Sequence, residues 1–316
     1  LLPDTIELLS GPGCPVCVLP ISRIEIALQI AQQKDVILCS FGDMLRIPGA
    51  NKNSLLRLKA QGFDIRMVYS ALDALDIAKK KPNKKIVFFA IGFETTSPGT
   101  AITLKLALAE KLQNFFVFCN HILAPPAAQH LLEAPEGSVK LDGFLGPAHV
   151  STTIGSNAFK KFVKKYQKPV IVTGFEPIDI LQAVIMLIKQ INSGKYQVEN
   201  QYSRGVRPEG NLIAQKALQE VFNLRENFEW RGLGIIPNSA LKINKKYQAH
   251  DAEKHFQIKP IKVAENKGCL CSKILRGEKE PVDCKLFGKT CTPENPIGAC
   301  MVSSEGTCAA YFNYSH

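Results

Sequence analysis

Ten cysteines stand in this 316-residue chain, and six of them crowd one stretch: Cys269, Cys271, Cys284, Cys291, Cys300 and Cys308. Thiols at that density bind metal or exchange electrons. The surrounding residues are rich in Gly and Pro and carry almost no apolar period, so the stretch cannot build a core of its own. Thiolate–metal bonds are the obvious means of holding it together. Structural zinc usually draws on two C-x2-C knuckles, and none is present. Four thiolates at long, irregular spacings suit an iron–sulfur cube. A zinc site, or structural thiols and disulfides, are the alternatives. Six candidates for four places leave two over, and spacing does not say which two.

A second thiol site is Gly11-Pro-Gly-Cys14-Pro-Val-Cys17. It is expected between a short strand, Thr5 to Leu9, and a helix opened by Pro20. A C-x-x-C pair at a helix N-terminus has its first thiolate favoured by free amides and the helix dipole. Such a pair can cycle between dithiol and disulfide or bind a soft metal. Half a zinc site, or two inert thiols, is the bland alternative. The flanking glycines argue against inert thiols, because they point to a tight backbone approach.

Polar residues gather where strands are expected to end. Gly92-Phe-Glu94-Thr95-Thr96 places Glu94 at a strand's carboxyl edge, with Thr96 as a candidate N-cap before Pro98. Gly174-Phe-Glu176-Pro-Ile-Asp179 repeats the arrangement, with Asp179 as the candidate cap. Gly146-Pro-Ala-His149-Val-Ser151 also leaves a strand and enters a helix. In open α/β sheets that edge is where ligands bind. Each turn alone reads equally well as helix capping, whereas together they can line one cleft with a His, two Glu and several hydroxyls. Arg204-Gly-Val-Arg207-Pro-Glu209-Gly-Asn211 is a polar turn with an Asn cap before a helix over Leu212 to Phe222. No phosphate-binding glycine loop and no G-x-S-x-G elbow occurs.

The elements that must position these groups alternate between strand-length apolar runs and amphipathic helices up to about residue 240. Val36 to Ser40, Ile65 to Tyr69, Ile86 to Ile91 and Phe115 to Cys119 read as strands buried on both faces, and Ile21 to Gln33 as a helix. That alternation predicts parallel sheets covered by helices. Lys85-Ile-Val-Phe-Phe-Ala-Ile-Gly-Phe-Glu94 aligns without gaps on Gln167-Lys-Pro-Val-Ile-Val-Thr-Gly-Phe-Glu176. The fold class is therefore α/β: two similar parallel-sheet domains, 1–143 and 144–245, followed by a small cysteine-rich C-terminal domain, 246–316. Within the last, Gln257 to Val263 reads as one weak strand.

Composition narrows the function. The formal net charge is +11, but the basic runs are scattered and no aromatic residues interleave with them. Lys160, Lys161, Lys164, Lys165 and Lys168 read as a solvated helix face opposite Phe159, Phe162, Val163 and Tyr166, not as a nucleic-acid surface. No stretch is long and apolar enough to span a membrane. Cysteines concentrated in one tail favour metal or redox chemistry in a reducing compartment over a disulfide-stapled secreted domain. The expectation is a soluble cytoplasmic protein. The chain starts on Leu and enters a turn almost at once, which reads as a fragment lacking its N-terminus.

Taken together, these motifs resemble the HypD family of [NiFe]-hydrogenase maturation proteins. The similarity rests on Gly11-Pro-Gly-Cys-Pro-Val-Cys17, Gly92-Phe-Glu-Thr-Thr96, Pro147-Ala-His-Val-Ser151, Gly174-Phe-Glu176 and the tail Cys300-Met-Val-Ser-Ser-Glu-Gly-Thr-Cys-Ala-Ala-Tyr311. The family's cluster spacing C-x14-C-x6-C-x16-C falls on Cys269, Cys284, Cys291 and Cys308. The resemblance implies a monomeric scaffold with a [4Fe–4S] cluster on those four residues and a redox-active pair, Cys271 and Cys300, between the cluster and Cys14/Cys17. It implies a HypC-type chaperone partner, a HypE-type cyanide donor, and a transient iron that becomes the Fe(CN)2CO group. The family's Cys-Gly-x-His motif, upstream of Gly-Pro-Gly-Cys, has no counterpart in these residues.

The function expected is a redox-active assembly scaffold. Cys14, Cys17, Glu94, Thr95, Thr96, His149 and Glu176 would shape the site where the iron group is built. One rival is a stand-alone iron–sulfur-dependent disulfide reductase. Another is a zinc-stabilised module that contacts nucleic acid.

Overall fold

The computed structural model describes residues 2–50, 53–133, 140–259, 261 and 263–314. Two parallel sheets and one antiparallel hairpin form its framework. The first sheet holds β1 (Val36–Ser40), β2 (Ile65–Met67), β3 (Lys85–Gly92) and β4 (Phe115–His121), in the order β2-β1-β3-β4. In register, Val36 pairs with Lys85, and Ile86 with Phe115. Every residue of β1 and β4 is buried, as near-continuous apolar runs demand in a sheet covered on both faces.

The connecting helices are α1 (Pro15–Val18), α2 (Ile21–Ala31), α3 (Gly42–Arg46), α4 (Leu55–Ala60), α5 (Ala71–Lys80) and α6 (Ser97–Ala109), with α7 (Ala124–Leu132) after β4. Alternate strand residues take opposite faces. Leu38, Val87, Phe89, Phe116 and Phe118 pack toward α2, α4 and the Cys14–Cys17 segment. Ile37, Cys39, Phe88, Ala90, Phe115 and Val117 pack toward α5 and α6. Local signals set the helix starts: Ser70 and Asp73 close a reciprocal cap on α5, and Pro98 occupies the first turn of α6.

The second sheet is smaller: β5 (Phe144–Pro147), β6 (Val170–Thr173) and β7 (Val198–Asn200), parallel, in that order. It carries α8 (Ala148–Ile154), α9 (Lys160–Tyr166) and α10 (Pro177–Ser193). Phe159, Phe162 and Val163 are buried while Lys160, Lys161, Lys164 and Lys165 face solvent. The two echoed segments occupy equivalent places. β3 lies between β1 and β4, β6 lies between β5 and β7, and each runs through Gly-Phe-Glu into a helix.

Asn211 caps α11 (Leu212–Val221), its Oδ1 accepting the Ala214 amide at 3.0 Å. From there the chain returns to the first sheet. α11 packs on α6, and the hairpin of β8 (Phe222–Trp230) and β9 (Gly234–Ile243) lies against β4 and α7. Leu123 N donates to Ser239 O at 2.9 Å across that junction. The remainder comprises α12 (Ala252–His255), α13 (Cys271–Leu275), α14 (Thr307–Tyr314) and three 3-10 turns, Lys245–His250, Pro281–Asp283 and Ala299–Met301. The cysteine-rich region does not stand alone. Ile274, Leu275, Ala299, Met301 and Ala309 share one continuous core with Val18, Ile24 and Trp230.

Three local expectations are revised. Thr5 to Leu9 forms no strand. The C-x-x-C pair opens its own short helix, α1, ahead of the helix that Pro20 does open as the N-cap of α2. The described residues between Gln257 and Val263 lie in no strand; 260 and 262 fall outside the described residues. Among the described residues no helix is long and apolar enough to cross a membrane.

Candidate functional site

Cys14 is the N-cap of α1, and its Sγ accepts the Cys17 amide at 3.2 Å. Cys14 and Cys17 are joined as a disulfide and both are buried. A Cβ on Gly11 or Gly13 would meet no atom within 4 Å. The chain's own packing therefore does not demand these glycines, contrary to the tight approach expected.

The Gly-Pro-Gly turn beside the disulfide lines a cleft of about 1290 Å³ to which both sheets contribute. Gly11, Pro12, Gly13 and Phe93 come from the first side, and Pro147, His149 and Phe175 from the second. His149 is half-buried, with its ring centroid 5.1 Å from that of Phe175 and its Nδ1 without a partner among the described residues. Burial lowers its pKa, so the neutral imidazole is favoured, able to accept or donate through either nitrogen.

Glu94 sits one residue behind the Phe93 wall, 2% exposed. Its Oε1 accepts the Ala124 amide, the first of α7, at 3.0 Å, and Oε2 has no partner among the described residues. Burial pushes its carboxyl up to about 7, where it can hold or release a proton at neutral pH. Thr96 is at the N-cap position of α6 but makes no capping bond. Its hydroxyl donates to Ile91 O and Phe93 O, each at 3.2 Å. Thr95 is exposed. Glu176 is exposed, with its carboxylate 3.4 Å from Arg204. Asp179 lies inside the first turn of α10 rather than capping it, and Arg204 Nη1 and Gln201 Nε2 donate to it at 2.9 and 2.7 Å. These charge-assisted bonds from Arg204 hold the Asp179 carboxyl well below the usual carboxylate range. The cleft thus joins His149 directly to the Gly-Pro-Gly turn. Cys14, Glu94 and Glu176 are each the chain neighbour of a lining residue.

The six tail cysteines line one small pocket together with Ile274, Leu286, Phe287, Gly298 and Met301. Cys271 and Cys300 bring their Sγ atoms to 2.7 Å. Cys291 Sγ accepts the Ile297 amide at 3.3 Å. A Cβ on Gly298 would lie 2.8 Å from Cys269 Sγ, so glycine there keeps the sulfur side of the pocket clear. Among the described residues no three donors converge where a single ion would sit. The Ala299–Met301 turn carrying Cys300 packs directly on α1, so the second thiol pair adjoins the helix of the first. The other two cysteines are inert, since burial pushes Cys39 up to about 12 and Cys119 to about 11.

Several contributors were not singled out in the sequence. Phe93 and Phe175 carry no assigned role in the sequence reading, although an aromatic at both strand ends is the available signal. The Ala124 amide carries no signal, because its role depends on where α7 begins. Arg231 was overlooked with the whole β8–β9 hairpin. The alternation from Phe222 to Trp230 followed by Arg-Gly-Leu-Gly234 is a hairpin signature.

Fold and site together define a class: an α/β protein that sets a disulfide-forming pair at a cleft beside a cluster of further thiols. A family model described as "HypD: Hydrogenase formation hypA family" matches residues 1–315. Similar curated proteins include hydrogenase maturation factor HypD2 of Bradyrhizobium diazoefficiens, 53% identical over 318 residues, covering 99% of this chain and 84% of that protein. HypD of Rhizobium leguminosarum bv. viciae is 53% identical over 99% of this chain and 83% of its own length. HypD of Escherichia coli strain K12 is 48% identical over 99% and 83%. The chain belongs to the HypD family of hydrogenase maturation factors.

Proposed function

We propose that the chain is a redox-active scaffold on which the Fe(CN)2CO group of [NiFe] hydrogenases is assembled. Cys269, Cys284, Cys291 and Cys308 would hold a [4Fe–4S] cluster, which supplies electrons one at a time. The chemistry of the donor set supports this: sulfurs alone line an otherwise apolar pocket, and glycine at 298 keeps it clear. The observation that carries the reading is the adjacency of two close cysteine pairs, one on α1 and the other reaching it through the 299–301 turn. Cys14–Cys17 is a disulfide, whereas Cys271 and Cys300 are free thiols 2.7 Å apart. Exchange between the pairs moves two electrons and two protons from the second to the first, leaving a Cys271–Cys300 disulfide and a Cys14/Cys17 dithiol, with no other atom gained or lost.

The dithiol so formed faces the cleft through the Gly-Pro-Gly turn and is a soft ligand pair for the incoming iron, which is substrate. Glu94 takes up or gives the proton that accompanies each change, and His149 orients groups in the cleft. A HypC-type chaperone would present the iron there and a HypE-type donor its cyanide. The first test is the iron, sulfide and zinc content and visible spectrum of protein purified without oxygen. About four irons and four sulfides per chain are expected, with a brown colour that Cys284→Ala abolishes. Colourless protein with stoichiometric zinc would overturn the reading. Steady turnover of a dithiol substrate without any partner would favour a reductase instead.

A further inference from the structure

Arg231 is 5% exposed, yet the structure gives its charge little to meet. Nε lies 3.3 Å from Glu265 Oε1 without hydrogen-bond alignment, and neither Nε nor Nη2 has a hydrogen-bond partner among the described residues. Glu265 is itself 44% exposed. The contrast with Arg23 is instructive. That buried guanidinium is engaged by Asn120, Glu253 and the Cys119 carbonyl. A buried cation left undersupplied with acceptors is costly to fold around, so its position calls for more negative charge than the one half-exposed Glu265 carboxylate supplies.

The position is fixed from two sides. The Arg231 amide donates to Val18 O at 2.7 Å, which ties the hairpin turn to α1. Next to it, Gly232 lies so close to α13 that a Cβ there would come 2.5 Å from Ser272 Cα. Gly232 O also accepts from Arg276 Nη1 at 2.6 Å. Arg231 is thereby held between the helix of the first thiol pair and the helix that starts at Cys271, and Gly232 beside it lies against Ser272, the chain neighbour of Cys271.

We propose that Arg231 is a positioning residue whose buried charge compensates the negative charge of the sulfur-ligated group in the cysteine-rich region and raises its reduction potential. The inference rests on the [4Fe–4S] reading above. An oxidised cube with four thiolates is already an anion, and taking one electron from an external low-potential donor adds one further negative charge. A fixed cation nearby favours the more negative form, the more so in a dry, low-dielectric setting. Glu265 opposes Arg231 and sets the net field.

The test is an anaerobic dithionite titration of the full chain with its cluster bound, followed by the paramagnetic signal of the reduced state. In Arg231→Gln the ratio of reduced to oxidised cluster at a fixed ambient potential should fall about tenfold, a 59 mV shift for one electron. Arg231→Lys should retain most of the wild-type value. Glu265→Gln should move the midpoint upward. An unchanged midpoint in Arg231→Gln that keeps its iron and sulfide overturns the proposal. If that variant loses its iron, Glu265→Gln decides, and a midpoint that stays or falls overturns it. Wild-type protein without iron and sulfide would instead bring down the functional reading, and this inference with it.

Discussion

The chain writes Gly-Phe-Glu twice at the ends of two central strands, and the two glutamates meet opposite fates. Glu94 is 2% exposed and accepts one backbone amide, with no cation paired to it among the described residues, so burial lifts its carboxyl to about 7. Glu176 is 60% exposed on its side chain and stands beside Arg204, which is engaged mainly by Asp179. The difference lies in what covers each strand end. After β3, α7 bonds Glu94 through the Ala124 amide and Trp230 of the β8–β9 hairpin lies against Phe93, whereas the residues 175–178 that follow β6 are exposed. A repeated motif therefore marks equivalent positions in the sheets, while proton chemistry is decided by the layer packed above them. Gly-Phe-Glu by itself does not specify an acid or a base.

Breaking the glycines should separate the two ends most sharply. Gly92 has φ +134°, and a Cβ there would lie 1.8 Å from Thr96 Oγ1 and 2.9 Å from Thr96 Cβ. Gly92→Ala must strain the backbone and displace the hydroxyl that fastens the turn carrying Glu94. A loss of about 4 kcal/mol is expected in urea unfolding, with collapse of the local fold as the visible consequence. Gly174→Ala meets Asp179 Oδ2 at 2.4 Å and the Tyr202 ring at 2.6 Å, but Gly174 has no positive φ, so only side chains and not the backbone must give. Its cost should stay near 1–2 kcal/mol. Equal losses at the two sites would mean that covering layers do not distinguish the strand ends.

How far these differences were legible is uneven, for physical reasons. β1, β3 and β4 follow from unbroken apolar runs, because a doubly covered parallel strand needs little beyond apolarity. The equivalence of β3 and β6 was visible in their gapless alignment. The return of α11 and the hairpin to the first sheet was not, since no local pattern in 212–243 names its packing partner. Thr5 to Leu9 read as a strand from its apolar residues, but it has no neighbouring strand to pair with and lies along the cleft. The cysteines announced sulfur chemistry at once. Their division into a disulfide at α1 and a close pair at 271 and 300 depends on the fold, which brings the 299–301 turn onto α1. Arg231 illustrates the limit: its type was plain, but its burial was not.

The second contrast is in pH dependence. A glutamate whose pKa rises from 4.5 to about 7 on folding binds its proton more tightly in the folded state. Its contribution is fully present below the unfolded pKa, declines as pH rises through the interval from about 4.5 to 7, and stays lost above it. At about 1.4 kcal/mol per unit the whole span is roughly 3 kcal/mol. Glu94→Gln keeps the shape and the Ala124 bond but cannot ionise. Urea unfolding between pH 5 and 8 should therefore show the wild type losing stability that the variant keeps, so that Glu94→Gln is the more stable protein at pH 8. A wild-type curve that matches the variant would show that Glu94 ionises freely and does not store a proton at the site.

The smallest effect is expected at the partner position. Glu176→Gln removes a carboxylate that is 60% exposed and 3.4 Å from Arg204. Arg204 keeps its bonds to Asp179, and its guanidinium stays 4.0 Å above the Tyr202 ring. Exposed ion pairs of this kind contribute about 0–1 kcal/mol and are screened by salt. Thermal unfolding should shift by less than about 2 °C, with the same pH dependence as the wild type between 5 and 8. Arg204→Ala is the informative companion, because it strips Asp179, buried in the first turn of α10, of its cation and should destabilise the second sheet more than Glu176→Gln does. If Glu176→Gln instead reproduced the pH response of Glu94→Gln, the covering layer would not be the cause. The two strand ends would then share one chemistry, as their common sequence alone implies.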